Sequence, residues 1–166
     1  MARPSECFST SLTTKSVSLQ SDCGPDDLLQ LGNDAVAAEK WELAESLYQS
    51  AAELTAEGNP LLVDLMATRG VLCGFQGEPL VGLRWLQQAY HEHVAMGDAI
   101  HAGKDLFNAA ALCEQVQRLG WARFCLMQAR DLFETAGDAA WVQTTTLSLV
   151  RLDELRRREE FDPRWN

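Results

Sequence analysis

Apolar residues recur at helical spacing along most of the chain, and short groups of glycine, proline, aspartate and asparagine separate these stretches. Glycine often ends a helix in the left-handed conformation, whereas Asp or Asn caps the start of the next one. We therefore expect helix boundaries at residues 23–25, 58–60 and 77–79 and at Gly97-Asp98, Gly120 and Gly137-Asp138. No stretch shows the sustained alternation of a strand. The pattern predicts an all-α fold with helices near residues 26–38, 41–57, 60–76, 79–96, 98–118, 121–136 and 138–159.

The two ends of the chain lack this pattern. Residues 1–24 contain nine Ser or Thr and few apolar residues. A segment that cannot bury enough apolar surface does not fold by itself. We therefore expect a disordered tail over residues 1–24, a helical repeat domain over residues 25–159 and a short tail over residues 160–166.

The helical part repeats itself. Met96-Gly97-Asp98-Ala99 recurs forty residues later as Ala136-Gly137-Asp138-Ala139, and Cys73 and Cys113 are also forty residues apart. A period of this length is typical of a solenoid, in which a helix pair cannot bury its apolar face alone and stacks on its neighbours. The sequence predicts an α-solenoid of three helix pairs followed by a C-terminal capping helix.

The repeat unit resembles the tetratricopeptide repeat. That family has small residues at its eighth and twentieth positions, a large apolar residue four positions later and Ala three positions after that. The resemblance covers residues 25–136, with units about four to six residues longer than the family's 34. It implies close helix–helix contact at the small residues. The matching positions are Gly32, Ala44, Tyr48 and Ala51 in the first pair, Gly70, Gly82, Leu86 and Ala89 in the second, and Ala110, Ala122, Leu126 and Ala129 in the third.

The same resemblance implies where a ligand binds. In such solenoids the first helix of each pair lines a concave groove. Some of the side chains concerned could instead pack against the N-terminal tail or a second copy of the chain. The expected peptide-binding groove residues are Leu29, Asn33, Val36, Asp64, Ala67, Val71, Phe75, Lys104, Phe107, Asn108, Ala111 and Glu114.

The size, acidity and repeat number are similar to those of the class II chaperones of bacterial type III secretion. Residues 40–45, 106–110 and 149–155 resemble their first-repeat turn, third-repeat start and last helix. This resemblance implies a chaperone that holds an extended segment of a secreted translocator in its groove. Two alternatives stay open: a scaffold or regulatory adaptor that uses the same groove, and a secreted effector whose Ser/Thr-rich start is an export signal.

Charge narrows the class of partner. The chain has 24 acidic and 14 basic residues, a net charge of -10, and the whole excess lies in residues 25–150. Nucleic acids and anionic membranes both require a basic surface, so neither is expected as a partner. We expect a protein or peptide partner with apolar or basic character. A second copy could also cover an exposed end of a short solenoid, so a homodimer is a further expectation.

The sequence offers little that could carry catalysis. It lacks P-loop, GxGxxG, GxSxG and HExxH motifs, so we expect no enzyme activity, no cofactor and no metal. His91, His93 and His101 form a cluster that we interpret as an exposed helix end. The chain has no apolar run of about 20 residues, so a cytoplasmic location with free thiols is expected. Core positions are expected for Cys73, Cys113, Cys125, Trp41, Trp85, Trp121 and Trp141.

Overall fold

The computed structural model describes residues 23–160. The tails expected over residues 1–24 and 160–166 lie outside this range, apart from residues 23, 24 and 160. Within it the chain forms seven α-helices and no strand, which confirms the all-α fold class. The helices are α1 (Pro25–Ala37), α2 (Trp41–Leu54), α3 (Leu61–Phe75), α4 (Pro79–Ala95), α5 (Ala99–Gln115), α6 (Leu119–Ala136) and α7 (Ala139–Glu160).

Three of the expected helix ends are found where glycines predict them, since Gly77, Gly97 and Gly137 follow α3, α4 and α6. Gly97 and Gly137 have φ angles of 75° and 74°, in the left-handed region that glycine adopts without steric cost. The Asp98 carboxylate accepts a hydrogen bond from the backbone N–H of His101 at 3.0 Å, and Asp138 caps α7 in the same way. Both helix starts therefore have the predicted cap.

The end of α5 is different from the prediction. Gln117, with a φ of 58°, is the left-handed residue at this break, whereas Gly120 lies inside α6. The expected boundaries at residues 118 and 121 are therefore wrong. The helix ends early because the N–H of Arg118 donates a hydrogen bond to the carbonyl of Cys113 at 2.8 Å, which closes the last turn.

The chain divides into two compact units, the first ending at Ala56 and the second beginning at Glu57. In the first unit α1 packs against α2. Gly32 lies against the ring of Tyr48, whose hydroxyl donates a hydrogen bond to the Asn33 side chain at 2.8 Å. Ala44 and Ala51 on α2 are fully buried. The single repeat domain over residues 25–159 stays a prediction.

In the second unit each helix packs against the next one in the chain, and α3 also contacts α5. Connections of two or three residues make such neighbours antiparallel. Helices α3 and α4 approach closely, since a Cβ on Gly82 would collide with the backbone carbonyl of Gly70. Leu86 packs beside these two glycines and is buried.

Apolar clusters connect the helices of the second unit. Leu86, Ala109 and Leu112 join α4 to α5. The last helix is held by aromatic contacts, since Trp141 stacks on Phe133 with ring centroids 5.2 Å apart and meets Phe107 edge-on at 5.3 Å. A second cluster joins α5, α6 and α7. It consists of Ala110, Cys113, Ala122, Leu126, Leu149 and Leu152.

Candidate functional site

The groove residues expected on α1 belong to the first unit. Leu29 and Val36 are half-buried and Asn33 is exposed. The Asn33 side-chain oxygen already accepts the hydrogen bond from Tyr48. Burial, followed by the nearby charge of Glu45, raises the pKa of Tyr48 to about 12, so its hydroxyl stays a donor at neutral pH. Asn33 thus has a structural contact in addition to any role toward a ligand.

The four groove residues expected on α3 fall into two groups. Ala67 and Val71 are half-buried and pack against the cluster that joins α4 to α5. Phe75, one turn beyond Val71, has 55% of its surface exposed. Asp64 is half-buried and faces His93 on α4, with 3.4 Å between its Oδ1 and the histidine Nε2. This face of α3 therefore has an apolar floor and one large accessible aromatic side chain.

On α5 two of the five expected groove residues contact α7. Phe107 packs edge-on against Trp141, and both carboxylate oxygens of Glu114 accept hydrogen bonds from Arg151, at 2.7 and 2.8 Å. Ala111 is exposed, and the other two, Lys104 and Asn108, are half-buried. Lys104, Asn108 and Ala111 are thus the α5 residues that the fold leaves more open to a ligand.

His93 is buried, with only 2% of its surface exposed, so its interpretation as part of an exposed helix end is wrong. Its Nδ1 lies 2.7 Å from Oδ2 of Asp105 on the next helix. His91, two residues earlier, is exposed as expected. The side chains diverge as their spacing on the helix requires, and His93 takes the inward direction because Asp105 supplies a partner there.

The histidine–aspartate cluster consists of Asp64, His93, Asp98, His101 and Asp105. Burial raises the pKa of Asp105 to about 6, an effect that the hydrogen bond from His93 partly opposes. At Asp98 desolvation also favours the neutral acid, but hydrogen bonds from the backbone and ring of His101 outweigh it and lower the pKa. The rings of His93 and His101 are 5.3 Å apart.

The arrangement of this cluster suits a structural role. Each nitrogen of the His93 ring faces a carboxylate, whereas a histidine that activates a nucleophile has a hydroxyl or thiol on one side. Among residues 23–160, no group of three or more His, Cys, Asp or Glu side chains is arranged to hold a metal ion. The cluster joins α4 to α5 through the buried contact of His93 with Asp105, and α3 to α4 through the half-buried Asp64.

The cysteine and tryptophan predictions had mixed outcomes. Cys113 is buried, and a hydrogen bond between the two thiols lowers the pKa of Cys113 and raises that of Cys125. Trp85 is half-buried beneath the guanidinium of Arg69, 5.4 Å from the ring centroid. Trp121, however, is 62% exposed, so its assignment to the core is wrong. It lies beside the buried stripe of α6, one residue before Ala122, a position that the repeat register could have indicated.

Comparisons with protein-family models and with curated proteins do not identify a relative of this chain. No protein-family model matches the chain, and no curated protein matches it. In the part of the chain that the structure describes, no helix is both long and apolar enough to cross a bilayer. The functional interpretation therefore rests on the chain's own geometry.

Proposed function

We propose that this chain is a non-catalytic protein-binding module, built from helix pairs of tetratricopeptide type, that holds a segment of a partner protein on α3 and α5, the first helices of the pairs in its second unit. One observation carries the proposal. Every small, large apolar and alanine position that the repeat register assigns to the three pairs is buried, from Gly32 on α1 to Ala129 on α6.

The contacts at these positions are those that the register requires. Gly32 meets Tyr48, and Gly70 meets Gly82 and Leu86. In the third pair Ala110, Ala122 and Leu126 share one apolar cluster. Because a surface helix buries only one stripe of side chains, the same register in six successive helices supports tandem pairs rather than an unrelated helical fold.

The open faces of α3 and α5 suit a segment of polypeptide. Ala67 and Val71 supply an apolar floor, and Phe75 offers an exposed aromatic side chain of the kind that anchors protein interfaces. Lys104 and Asn108 supply half-buried polar groups on the neighbouring first helix. The acidic excess of residues 25–150 favours a partner segment with basic residues beside its apolar ones.

A chaperone role follows from this mode of binding, since a groove that covers an apolar segment of the partner keeps the partner from aggregating. The resemblance to class II secretion chaperones makes a secreted translocator encoded nearby the first partner to test. The predicted result is that this partner is insoluble when expressed alone and soluble in a stoichiometric complex when expressed together with the full chain.

A pair of variants tests the groove. Phe75→Ala removes the exposed aromatic side chain from α3, whereas Leu147→Ala removes an exposed apolar side chain, 64% accessible, from α7. Loss of a central aromatic contact costs about 2 kcal/mol or more, so Phe75→Ala should weaken the complex about thirtyfold. Leu147→Ala should bind as the wild type does.

Calorimetric titration of the purified partner segment measures both affinities, and circular dichroism checks that both variants keep their helicity. Equal binding by Phe75→Ala and wild type would show that the partner is not held on α3. A partner that stays soluble without this chain would contradict the chaperone role.

A further inference from the structure

A pocket of about 720 Å³ lies on the second unit, between α4 and α6 and above α5. Its walls are mainly apolar, with Leu83 and Tyr90 from α4, Ala109 from α5, and Trp121 and Phe124 from α6. None of the expected groove residues lines it. The pocket is thus separate from the surface to which the proposed function assigns the partner, and an inference about it goes beyond that function.

The pocket exposes apolar surface that a folded protein usually covers. Trp121 and Phe124 are 62% and 54% exposed, and their rings meet edge-on with centroids 6.1 Å apart. Leu80, at the start of α4, is 65% exposed on the opposite wall. Large apolar side chains grouped around a concave surface mark a binding site more often than scattered exposed residues do.

The charge around the pocket is opposite to that of the chain. Its polar side chains are those of Gln87, Tyr90, His91 and Arg118, beside two cysteines, and no Asp or Glu lines it, although the chain carries a net charge of -10. Arg118 is exposed, and within residues 23–160 no carboxylate pairs with it, whereas Arg123 and Arg151 are both paired. Arg118 also precedes the first residue of α6, where the helix dipole adds positive potential.

We propose that this pocket binds a fatty acid anion, with its hydrocarbon chain between α4 and α6 and its carboxylate beside Arg118. The volume lies in the range of about 300–1,000 Å³ that is typical of small-molecule sites. The hydrocarbon chain of a fatty acid matches the apolar walls of the pocket, and its single carboxylate matches the one arginine there, Arg118. A partner helix, the alternative occupant, would bury a longer apolar strip and would not depend on one cation.

Calorimetric titration of the full chain with sodium decanoate, below its micellar concentration, tests the proposal. We expect saturable binding of one decanoate per chain. Each buried methylene raises affinity about fourfold, so octanoate, which has two fewer methylenes, should bind about fifteenfold more weakly than decanoate. Decanol, which has the same chain without the charge, should bind more weakly than decanoate.

Two matched pairs of variants locate the ligand. Arg118→Gln should weaken decanoate binding about fivefold and leave decanol binding unchanged, whereas Arg158→Gln, an exposed arginine on α7, should change neither. Trp121→Ala should weaken the binding of both decanoate and decanol, whereas Leu147→Ala should leave both affinities unchanged. All four side chains are exposed, so their substitution should not unfold the protein. Circular dichroism checks that each variant is folded.

Absence of saturable decanoate binding would overturn the proposal. So would equal effects of Arg118→Gln and Arg158→Gln, because binding would then not involve the proposed head-group contact. Binding of an amphipathic helical peptide or of phosphatidylglycerol vesicles through Trp121, without decanoate binding, would also overturn it in favour of another occupant. None of these results depends on Phe75, so the proposed function is tested separately.

Discussion

At the scale of single residues, the strongest constraint is the size of the side chains between paired helices. Glycine in a helix interior costs about 1 kcal/mol relative to alanine, yet Gly70 and Gly82 both lie inside helices. The contact explains them, since a Cβ on Gly82 would collide with the Gly70 carbonyl and would lie 2.7 Å from Leu112. The backbone carbonyl of Gly70 cannot move aside as the end of a flexible side chain can.

Gly82→Ala should therefore destabilise the protein by about 1–3 kcal/mol, because overpacking outweighs the gain in helix propensity. Gly120→Ala is the matched control, since Gly120 is also helical but a Cβ there would meet no atom within 4 Å. It should leave stability unchanged or raise it by up to about 1 kcal/mol. Urea unfolding measured by circular dichroism compares the two; an unaltered midpoint for Gly82→Ala would contradict the close approach of α3 and α4.

Residue patterns predicted the helix contacts well and the polar contacts poorly. The small residues could be located because they recur at fixed spacing. The burial of His93 could not, because it depends on Asp105 and Asp64, which lie on two other helices. The sequence around a histidine does not show which residues of other helices will contact it. For the same reason the pocket around Trp121 was not predicted, since it exists only once α4 and α6 lie on either side of α5.

At the scale of helices, one type of turn ends five of the seven helices within residues 23–160. The N–H after the left-handed residue donates to a carbonyl five residues earlier, as from Lys40 to Ala35 and from Arg118 to Cys113. In three of these turns the left-handed residue is glycine, which the sequence shows, but in two it is Glu39 or Gln117. The hydrogen bond defines the turn, and glycine only lowers its steric cost. The sequence signal was therefore incomplete.

The final helix gives a direct test of which face is buried. Leu152 on α7 is fully buried in the cluster with α5 and α6, whereas Leu147 on the same helix is 64% exposed. Leu152→Ala should lower the free energy of unfolding by about 2–5 kcal/mol, and Leu147→Ala should change it by about 0.5 kcal/mol at most. Thermal and urea unfolding measure both. Similar losses for the two variants would show that α7 docks with a different face.

At the scale of the whole molecule, ion pairs contribute little against the acidic excess. The pairs from Arg123 to Asp153 and from Arg151 to Glu114 connect α7 to its neighbours, and each pair has at least one side chain that is 40% or more exposed to solvent. Such pairs are worth about 1 kcal/mol or less. Repulsion among the remaining carboxylates opposes the folded state and weakens as the pH falls. The pH dependence of global stability therefore combines this general effect with that of Asp105, the one carboxyl that is buried among the residues whose side chains the structure describes.

The two contributions can be separated with Asp105→Asn. Burial raises the pKa of Asp105 from 3.8 to about 6, so the folded state binds its proton more tightly than the unfolded state does. The resulting stability is complete below the ordinary pKa and is lost as the pH rises through 6. Between pH 7.5 and pH 5 the wild type should gain about 1 kcal/mol more than Asp105→Asn, as measured by urea unfolding. His93, His101, Asp64 and Asp98, which lie in the same cluster, are present in both proteins, and equal pH profiles would contradict a raised pKa of Asp105 in the folded state.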